Sequence, residues 1–202
     1  MFDQYLRALK DRLLNPVARA LGPGLSPDVI TFLAFAVGLA SAAAILWGRI
    51  GLALGLWLLN RVLDGLDGTH ARVHARESEF GAYIDIVLDF AVYAAIPGAI
   101  VAAGRAPELA VAGVLLLASF YVNAASWMYL AAILAKRREG TVGRGGATTV
   151  TMPSGLVAGT ETGVFYTLFL LLPSHQVSLF LLMALLVLAN VVWRLYWAKQ
   201  YL

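Results

Sequence analysis

The chain of 202 residues is 60% hydrophobic and 13% charged, carries a formal net charge of +3 and contains no cysteine. A soluble domain is nearer about 45–50% apolar and about a quarter charged. Long apolar runs recur along the whole sequence, which predicts an all-α, polytopic membrane protein without a separate soluble domain. The lack of cysteine excludes disulfides and thiolate-bound metals, and no nucleic-acid partner is expected.

Residues 1–24 are predicted to form an amphipathic segment that lies on the membrane surface before the first span. Apolar residues recur there at helical spacing and charged residues lie opposite them. The apolar face consists of Phe2, Leu6, Leu9, Leu13 and Val17. The Asn15-Pro16 pair is expected to break this helix and to open a second short segment.

Six apolar segments follow and predict a six-helix membrane domain over residues 25–202. Ser26 is the expected N-cap of the first helix, with Pro27 in its first turn. The predicted spans are about Pro27–Trp47, Ile50–Ala75, Glu79–Ala103, Pro107–Ala135, Leu156–Leu172 and, after a turn at Pro173-Ser174, a last span that ends near Lys199. Residues 136–155 are rich in glycine, threonine and basic residues, and are predicted to form the one long loop.

The lysines and arginines are distributed unevenly between the two predicted sides of the membrane. One side has only Arg49 and Arg105, and Arg61 lies inside the second span. The other side collects Arg7, Lys10, Arg12, Arg19, Arg72, Arg76, Lys136, Arg137, Arg138, Arg144, Arg194 and Lys199. The positive-inside rule therefore predicts that both termini and the polar ends of spans two and three are cytoplasmic.

Four aspartates interrupt the apolar sequence at those ends. Asp64 and Asp67 are three residues apart on the second span, and Asp85 and Asp89 are four apart on the third, so each pair lies on one helix face. A tight turn joins the two helices, which brings the pairs towards each other. Four carboxylates would repel strongly unless cations bind them, and oxygen-only ligands favour two Mg²⁺ ions, with Mn²⁺ as the second choice.

Small and basic residues at fixed offsets favour a phosphate ligand at the same place. Gly68 and Gly81 lie beside the acids and allow a close approach of a helix or a ligand. Arg72 is within reach of a phosphate held on the metals. Paired acids in a membrane also occur in cation transporters. No second copy of the acidic motif is present, although transporters often contain internal repeats.

The spacing Asp64-x2-Asp67-Gly68-x2-Ala71-Arg72-x8-Gly81-x3-Asp85-x3-Asp89 resembles the signature of the CDP-alcohol phosphotransferase family. The SPDVIT sequence that opens the first span also resembles the family. The resemblance implies transfer of a phosphatidyl group from CDP-diacylglycerol to an alcohol, with release of CMP. It also implies a homodimer in a prokaryotic plasma membrane.

The resemblance assigns roles to individual residues. It implies that Asp64, Asp67, Asp85 and Asp89 hold the two metals and that Asp89 is also the base for the acceptor hydroxyl. The residues that it implies for the cytidine diphosphate are Gly68, Ala71, Arg72 and Gly81, with Ser78, Asp28 and Thr31 as further candidates nearby.

The acceptor stays open in the sequence. Arg61, Asn123, Ser126 and Glu161 are candidates to line its pocket, although pairing with an aspartate is the simpler role for Arg61. Family branches with phosphorylated acceptors tend to carry arginines in spans four and five, and these spans have none near the expected site. The basic cytoplasmic charge favours glycerol 3-phosphate, while a CDP-choline or CDP-ethanolamine donor with a diacylglycerol acceptor is an alternative on the same motif.

Two groups of aromatic residues receive simpler interpretations. His70 and His74 fall at variable positions of the motif and are expected to lie at the membrane interface. The tryptophans lie mostly near span ends, as interface anchors do.

Overall fold

Helices make up nearly all of the chain that the structure describes. The structure is a computed structural model that describes residues 13–142 and 159–202, with side chains described for residues 13–137 and 159–202. Within these ranges there is no strand, which confirms the all-α prediction. The helices are α1 (residues 13–21), α2 (Pro27–Leu46), α3 (Ile50–Val73), α4 (Glu79–Ala103), α5 (Pro107–Val142), α6 (Gly159–Leu171) and α7 (Gln176–Tyr201), with a 3₁₀ turn, Pro173–His175, before the last.

Four helices in the described residues are long and apolar enough to cross a membrane. They are Pro27–Leu46, Glu79–Ala103, Pro107–Arg137 and Pro173–Tyr201. These four helices agree with the prediction of a multi-pass membrane protein. The second and fifth predicted spans do not meet this description, because α3 carries several charged residues and α6 has 13 residues. The count of six spans stays a prediction.

The N-terminal helix and the long loop differ from expectation where the structure describes them. Residues 13–21 are helical through Asn15-Pro16, so the predicted break there is wrong. The fixed φ of proline lies in the helical range, and its missing N–H removes one hydrogen bond without ending the helix. The rest of the predicted amphipathic face lies outside the described residues.

The predicted loop begins later than expected, because α5 continues to Val142. The sequence that extends it contains lysine, arginine and glutamate, which are good helix formers. Residues 143–155 lie outside the described residues.

The described residues form two compact units. The first contains those up to Ala106 together with Tyr166–Pro173, and the second contains those of Pro107–Phe165 together with Ser174–Leu202. In the first unit α2 packs on both α3 and α4, and in the second α5 packs on α7. The aspartates all belong to the first unit.

The packing of α2 on its neighbours depends on small and polar residues. Ser41 donates a hydrogen bond to the carbonyl oxygen of Ala53 at 2.8 Å, and Asn60 donates one to that of Ala34 at 2.8 Å. Gly38 leaves so little room that a Cβ atom there would lie 2.6 Å from a methyl group of Val92. Close backbone approach and hydrogen bonds replace the hydrophobic effect as the source of helix association in lipid.

The turn between α3 and α4 brings the acidic ends of these helices together. Ala75 adopts a φ of 50°, and the N–H of Arg76 bonds to the carbonyl oxygen of Ala71 at 2.8 Å, as in a helix C-terminal motif. Ser78 then caps α4, because its hydroxyl accepts a hydrogen bond from the N–H of Gly81 at 2.9 Å. The chain thus reverses within a few residues, and the acids of both helices lie within a few turns of the reversal.

Candidate active site

The aspartates of α3 and α4 converge on one small cavity. One carboxylate oxygen from each of Asp64, Asp85 and Asp89 lies within 4.8 Å of the others. Asp67 and these three line a cavity of about 10 Å³, which is close to the space that one water requires. The convergence that the helical spacing predicts is therefore present in the structure.

Asp67 is the most buried of the acids and is held from two sides. Asp67 is 5% exposed, and Thr31 of α2 donates a hydrogen bond to its carboxylate at 2.7 Å. The backbone N–H of Gly68 donates another. Two donors stabilise the charged form of this buried carboxylate, so Asp67 is oriented before any ligand binds.

Arg61 supplies a permanent positive charge beside two of the other acids. Its guanidinium lies 2.8 Å from Asp89 and 3.6 Å from Asp64. Pairing of Arg61 with an aspartate is therefore confirmed. Tyr93, four residues after Asp89, donates a hydrogen bond to the second oxygen of Asp89 at 3.1 Å.

A larger, open cavity of about 180 Å³ adjoins the acids. The family resemblance suggests seven residues for binding the cytidine diphosphate. All of them line this cavity: Asp28, Thr31, Gly68, Ala71, Arg72, Ser78 and Gly81. Asp67 and Asp85 line both this cavity and the small acidic one. A ligand in the open cavity would therefore adjoin two of the four acids directly.

Two glycines keep this open cavity accessible. A Cβ atom on Gly81 would lie 2.9 Å from the hydroxyl oxygen of Ser78 and 3.2 Å from a carboxylate oxygen of Asp28. One on Gly68 would lie 3.4 Å from the guanidinium of Arg72. Any side chain at Gly81 would therefore displace polar groups that line the cavity.

Residues at the C-terminal end of α3 form hydrogen bonds with the segment that precedes α2. His70 and His74 contact the carbonyl oxygens of Leu25 and Ala18 at 3.0 and 3.1 Å, and Arg76 donates to that of Pro23 at 2.6 Å. His70 is fully buried within the protein, and its expected position at the depth of the membrane interface stays a prediction. Its Nε2 contacts the backbone of Leu25, while its Nδ1 is buried without a hydrogen-bond partner among the described residues.

In the second unit, two of the predicted acceptor residues contact a buried cation. Arg194 of α7 is 7% exposed and donates hydrogen bonds to the side chains of Asn123 and Ser126 on α5, at 3.1 and 3.2 Å. Glu161 is half-buried in the first turn of α6. The proposed role of these residues in acceptor binding stays a prediction.

The sequence analysis did not predict the positions of several residues. Arg76 and Glu77 also line the open cavity, and the sequence pattern treats Arg194 only as a cytoplasmic charge. An arginine inside an apolar span is itself a functional signal. Trp57 is fully buried, where it stacks on Tyr166 with ring centroids 5.1 Å apart, so it is not an interface anchor.

The sequence is similar to those of known membrane proteins. A family model described as CDP-alcohol phosphatidyltransferase matches residues 25–199. The inner membrane protein YnjF of Escherichia coli (strain K12) is 37% identical over 177 residues, which are 86% of this chain and 84% of that protein. The phosphatidylinositol phosphate synthase of Streptomyces avermitilis is 35% identical over 105 residues, 48% of this chain and 41% of that enzyme.

The fold is similar to that of a solved enzyme. Phosphatidylinositol phosphate synthase of Mycobacterium tuberculosis with CDP-DAG bound matches with a TM-score of 0.69 at 22% identity, over 92% of both chains. The same enzyme in complex with manganese and citrate matches with a TM-score of 0.64 at 23% identity, over 90% of this chain and 86% of that one. At this identity the likeness shows a common fold.

Proposed function

This chain belongs to the CDP-alcohol phosphatidyltransferase family, and we propose that it transfers the phosphatidyl group of CDP-diacylglycerol to a phosphorylated alcohol. It is a membrane transferase of phospholipid biosynthesis that releases CMP. The observation that carries the proposal is the junction of the two cavities at Asp67 and Asp85. This junction would place the diphosphate of a bound donor against the acids. The CDP-DAG bound to the structural relative supports this choice of donor.

The acidic residues fit divalent cations as ligands. Oxygens of Asp64, Asp85 and Asp89 lie within 4.8 Å of one another, and opposite ligands of an octahedral Mg²⁺ are about 4.2 Å apart. Asp67 and Asp85 border the cavity proposed for the diphosphate. We assign Mg²⁺, with Mn²⁺ as a substitute, to these four carboxylates; the manganese in the structural relative supports a divalent ion. When bound, the ions would polarise the diphosphate and neutralise the charge that develops on CMP.

The protein groups have separate tasks in the proposed reaction. Arg72 binds the diphosphate with its guanidinium, which matches phosphate oxygens in charge and geometry. Gly68 and Gly81 leave room for the nucleotide. Asp89 accepts the proton of the acceptor hydroxyl while the hydroxyl oxygen attacks the lipid-side phosphorus.

Two observations favour an anionic acceptor. The basic cytoplasmic charge favours glycerol 3-phosphate, and the names of the synthases among the relatives favour an inositol phosphate. We further propose that the chain forms one membrane domain, that it acts as a homodimer, and that the active site and both termini are cytoplasmic.

The decisive experiment measures CMP release by the purified protein with CDP-diacylglycerol and Mg²⁺. The acceptor panel contains glycerol 3-phosphate, inositol phosphate, inositol, serine, glycerol and phosphatidylglycerol. We expect release with one phosphorylated acceptor and loss of release with EDTA. Release only with serine, glycerol or inositol would contradict the acceptor class. Turnover only of CDP-choline or CDP-ethanolamine with diacylglycerol would contradict the donor, and metal flux into liposomes without CMP release would favour a transporter.

A further inference from the structure

Two side chains hold Asp89, one at each carboxylate oxygen. Its Oδ1 accepts a hydrogen bond from a terminal nitrogen of Arg61 at 2.8 Å, and its Oδ2 accepts one from the hydroxyl of Tyr93 at 3.1 Å. Each carboxylate oxygen has two acceptor sites. One site on each oxygen of Asp89 therefore remains for a metal or an acceptor hydroxyl in the acidic cavity that Asp89 lines.

Arg61 is itself fixed by every nitrogen of its guanidinium. Nε donates to the side chain of Asn60 at 2.9 Å, one terminal nitrogen to the hydroxyl of Tyr93 at 2.7 Å, and the other to Asp89. The Cζ atom of Arg61 lies 4.7 Å from the ring centre of Trp57 and 5.1 Å from that of Tyr93, so two aromatic rings hold the guanidinium by cation–π contact. A lysine ammonium could not reach these partners together, because its donors come from a single point.

The partners of Arg61 are anchored in turn to other helices. Asn60 is 1% exposed and bonds to the backbone of α2 at Ala34. The backbone carbonyl of Tyr93 accepts a hydrogen bond from Tyr166, whose ring also stacks on Trp57. A site is precise when its reactive group is held by residues whose own conformations are locked. This network locks one carboxylate, and that carboxylate is the proposed base.

We infer that Arg61 and Tyr93 are positioning residues that act through Asp89, and that they hold its two oxygens in the orientation that proton transfer from the acceptor requires. This inference rests on the proposed function. Neither residue lines the open cavity, so we expect the KM for CDP-diacylglycerol to be independent of them. A misplacement of about 1 Å at a reacting group can slow a reaction about 10²-fold.

The test compares Arg61→Gln, Arg61→Lys and Tyr93→Phe with matched controls at the start of α3 and within α4. The controls are Arg49→Gln and Tyr83→Phe, at exposed positions outside both cavities. We expect kcat to fall about 10²-fold in Arg61→Gln and about tenfold in Tyr93→Phe, with an unchanged KM for CDP-diacylglycerol. Arg61→Lys should recover only a small part of the loss, and the controls should match the wild type.

A second readout uses no turnover. Binding of Mn²⁺ to the purified variants, followed by electron paramagnetic resonance, should be as tight as in the wild type for Tyr93→Phe, and as tight or tighter for Arg61→Gln, since a cation beside the acids is lost. Tyr93→Phe retains the ring and its packing, so it tests the inference even if the arginine variants do not fold.

Three outcomes are decisive. Unchanged kcat in folded Tyr93→Phe would overturn the inference, and so would a loss of Mn²⁺ affinity parallel to the loss of kcat, because the residues would then serve the metal site as a whole. A wild type that releases no CMP would refute the proposed function instead.

Discussion

The close contact between α2 and α4 at Gly38 predicts how much the substitution Gly38→Ala should destabilise the protein. A Cβ atom on Gly38 would lie 2.6 and 2.9 Å from the two methyl carbons of Val92. Carbon atoms prefer about 3.5–4.0 Å, so Gly38→Ala requires about 1 Å of separation. Val92 is 1% exposed and β-branched, and its side chain cannot rotate away. The helices must therefore move apart, at a cost of about 1–3 kcal/mol.

A glycine on the neighbouring helix provides the control. A Cβ atom on Gly55 of α3 would have no neighbouring atom within 4 Å, so Gly55→Ala reports the gain in helix propensity alone, about 1 kcal/mol or less. Stability is measured as the free energy of unfolding in mixed micelles. Gly38→Ala should be less stable than Gly55→Ala by about 1–3 kcal/mol. It should also release CMP more slowly, because Val92 lies less than one turn after Asp89.

A double variant separates this clash from other effects. Val92→Ala removes both methyl groups that the new Cβ would meet, so Gly38→Ala combined with Val92→Ala should be more stable than the sum of the single changes predicts. Equal stability of Gly38→Ala and Gly55→Ala, or strict additivity in the double variant, would refute the packing of α2 on α4 described above.

Three further predictions concern the donor cavity, the buried acid and the topology. Gly81→Ala should raise the KM for CDP-diacylglycerol about tenfold, equivalent to about 1.4 kcal/mol, because its Cβ displaces groups that line the open cavity. Thr31→Val should lower the free energy of unfolding by about 1.5–3 kcal/mol, because Asp67 loses a donor at 2.7 Å. Cysteines introduced at Gly24 and Ala106 should react with an impermeant maleimide from the cytoplasmic and the external side, respectively.

Each of these predictions has a control or a contradicting result. A Cβ atom on Gly98 of the same helix would have no neighbouring atom within 4 Å, so Gly98→Ala should leave the KM unchanged. Wild-type stability of Thr31→Val would show that its hydroxyl does not support Asp67. Because the native chain has no cysteine, the labelling background is low, and labelling of Gly24→Cys from outside intact cells would reverse the proposed orientation.

The sequence predicted the acidic site better than the surroundings that hold it. Spacing on α3 and α4 was sufficient to predict convergence, because i, i+3 and i, i+4 pairs share a helix face and a tight turn joins the two helices. The contact of Thr31 with Asp67 depends on how α2 lies against α3. No local pattern specifies that packing, and only a family resemblance pointed to Thr31.

The network at Arg61 illustrates what sequence reasoning can miss. Tyr93 follows Asp89 by four residues and so shares its face, which is a signal that periodicity offers. The burial of Trp57 and the contact of Tyr93 with Tyr166 depend on a distant segment of the chain. The helix through Asn15-Pro16 and the late end of α5 differ from expectation because proline and basic residues are not by themselves helix breakers and loop formers.

The central claim is that the four aspartates bind the divalent ions on which CMP release depends. It is tested most directly by counting bound Mn²⁺ and measuring CMP release in the same samples of wild type, Asp85→Asn and Asp89→Asn. We predict two ions per wild-type chain, fewer ions in Asp85→Asn with release that high Mg²⁺ partly restores, and release reduced at least 10²–10⁴-fold in Asp89→Asn without equal rescue. Normal CMP release in either variant, or release by the wild type after complete metal removal, would contradict it.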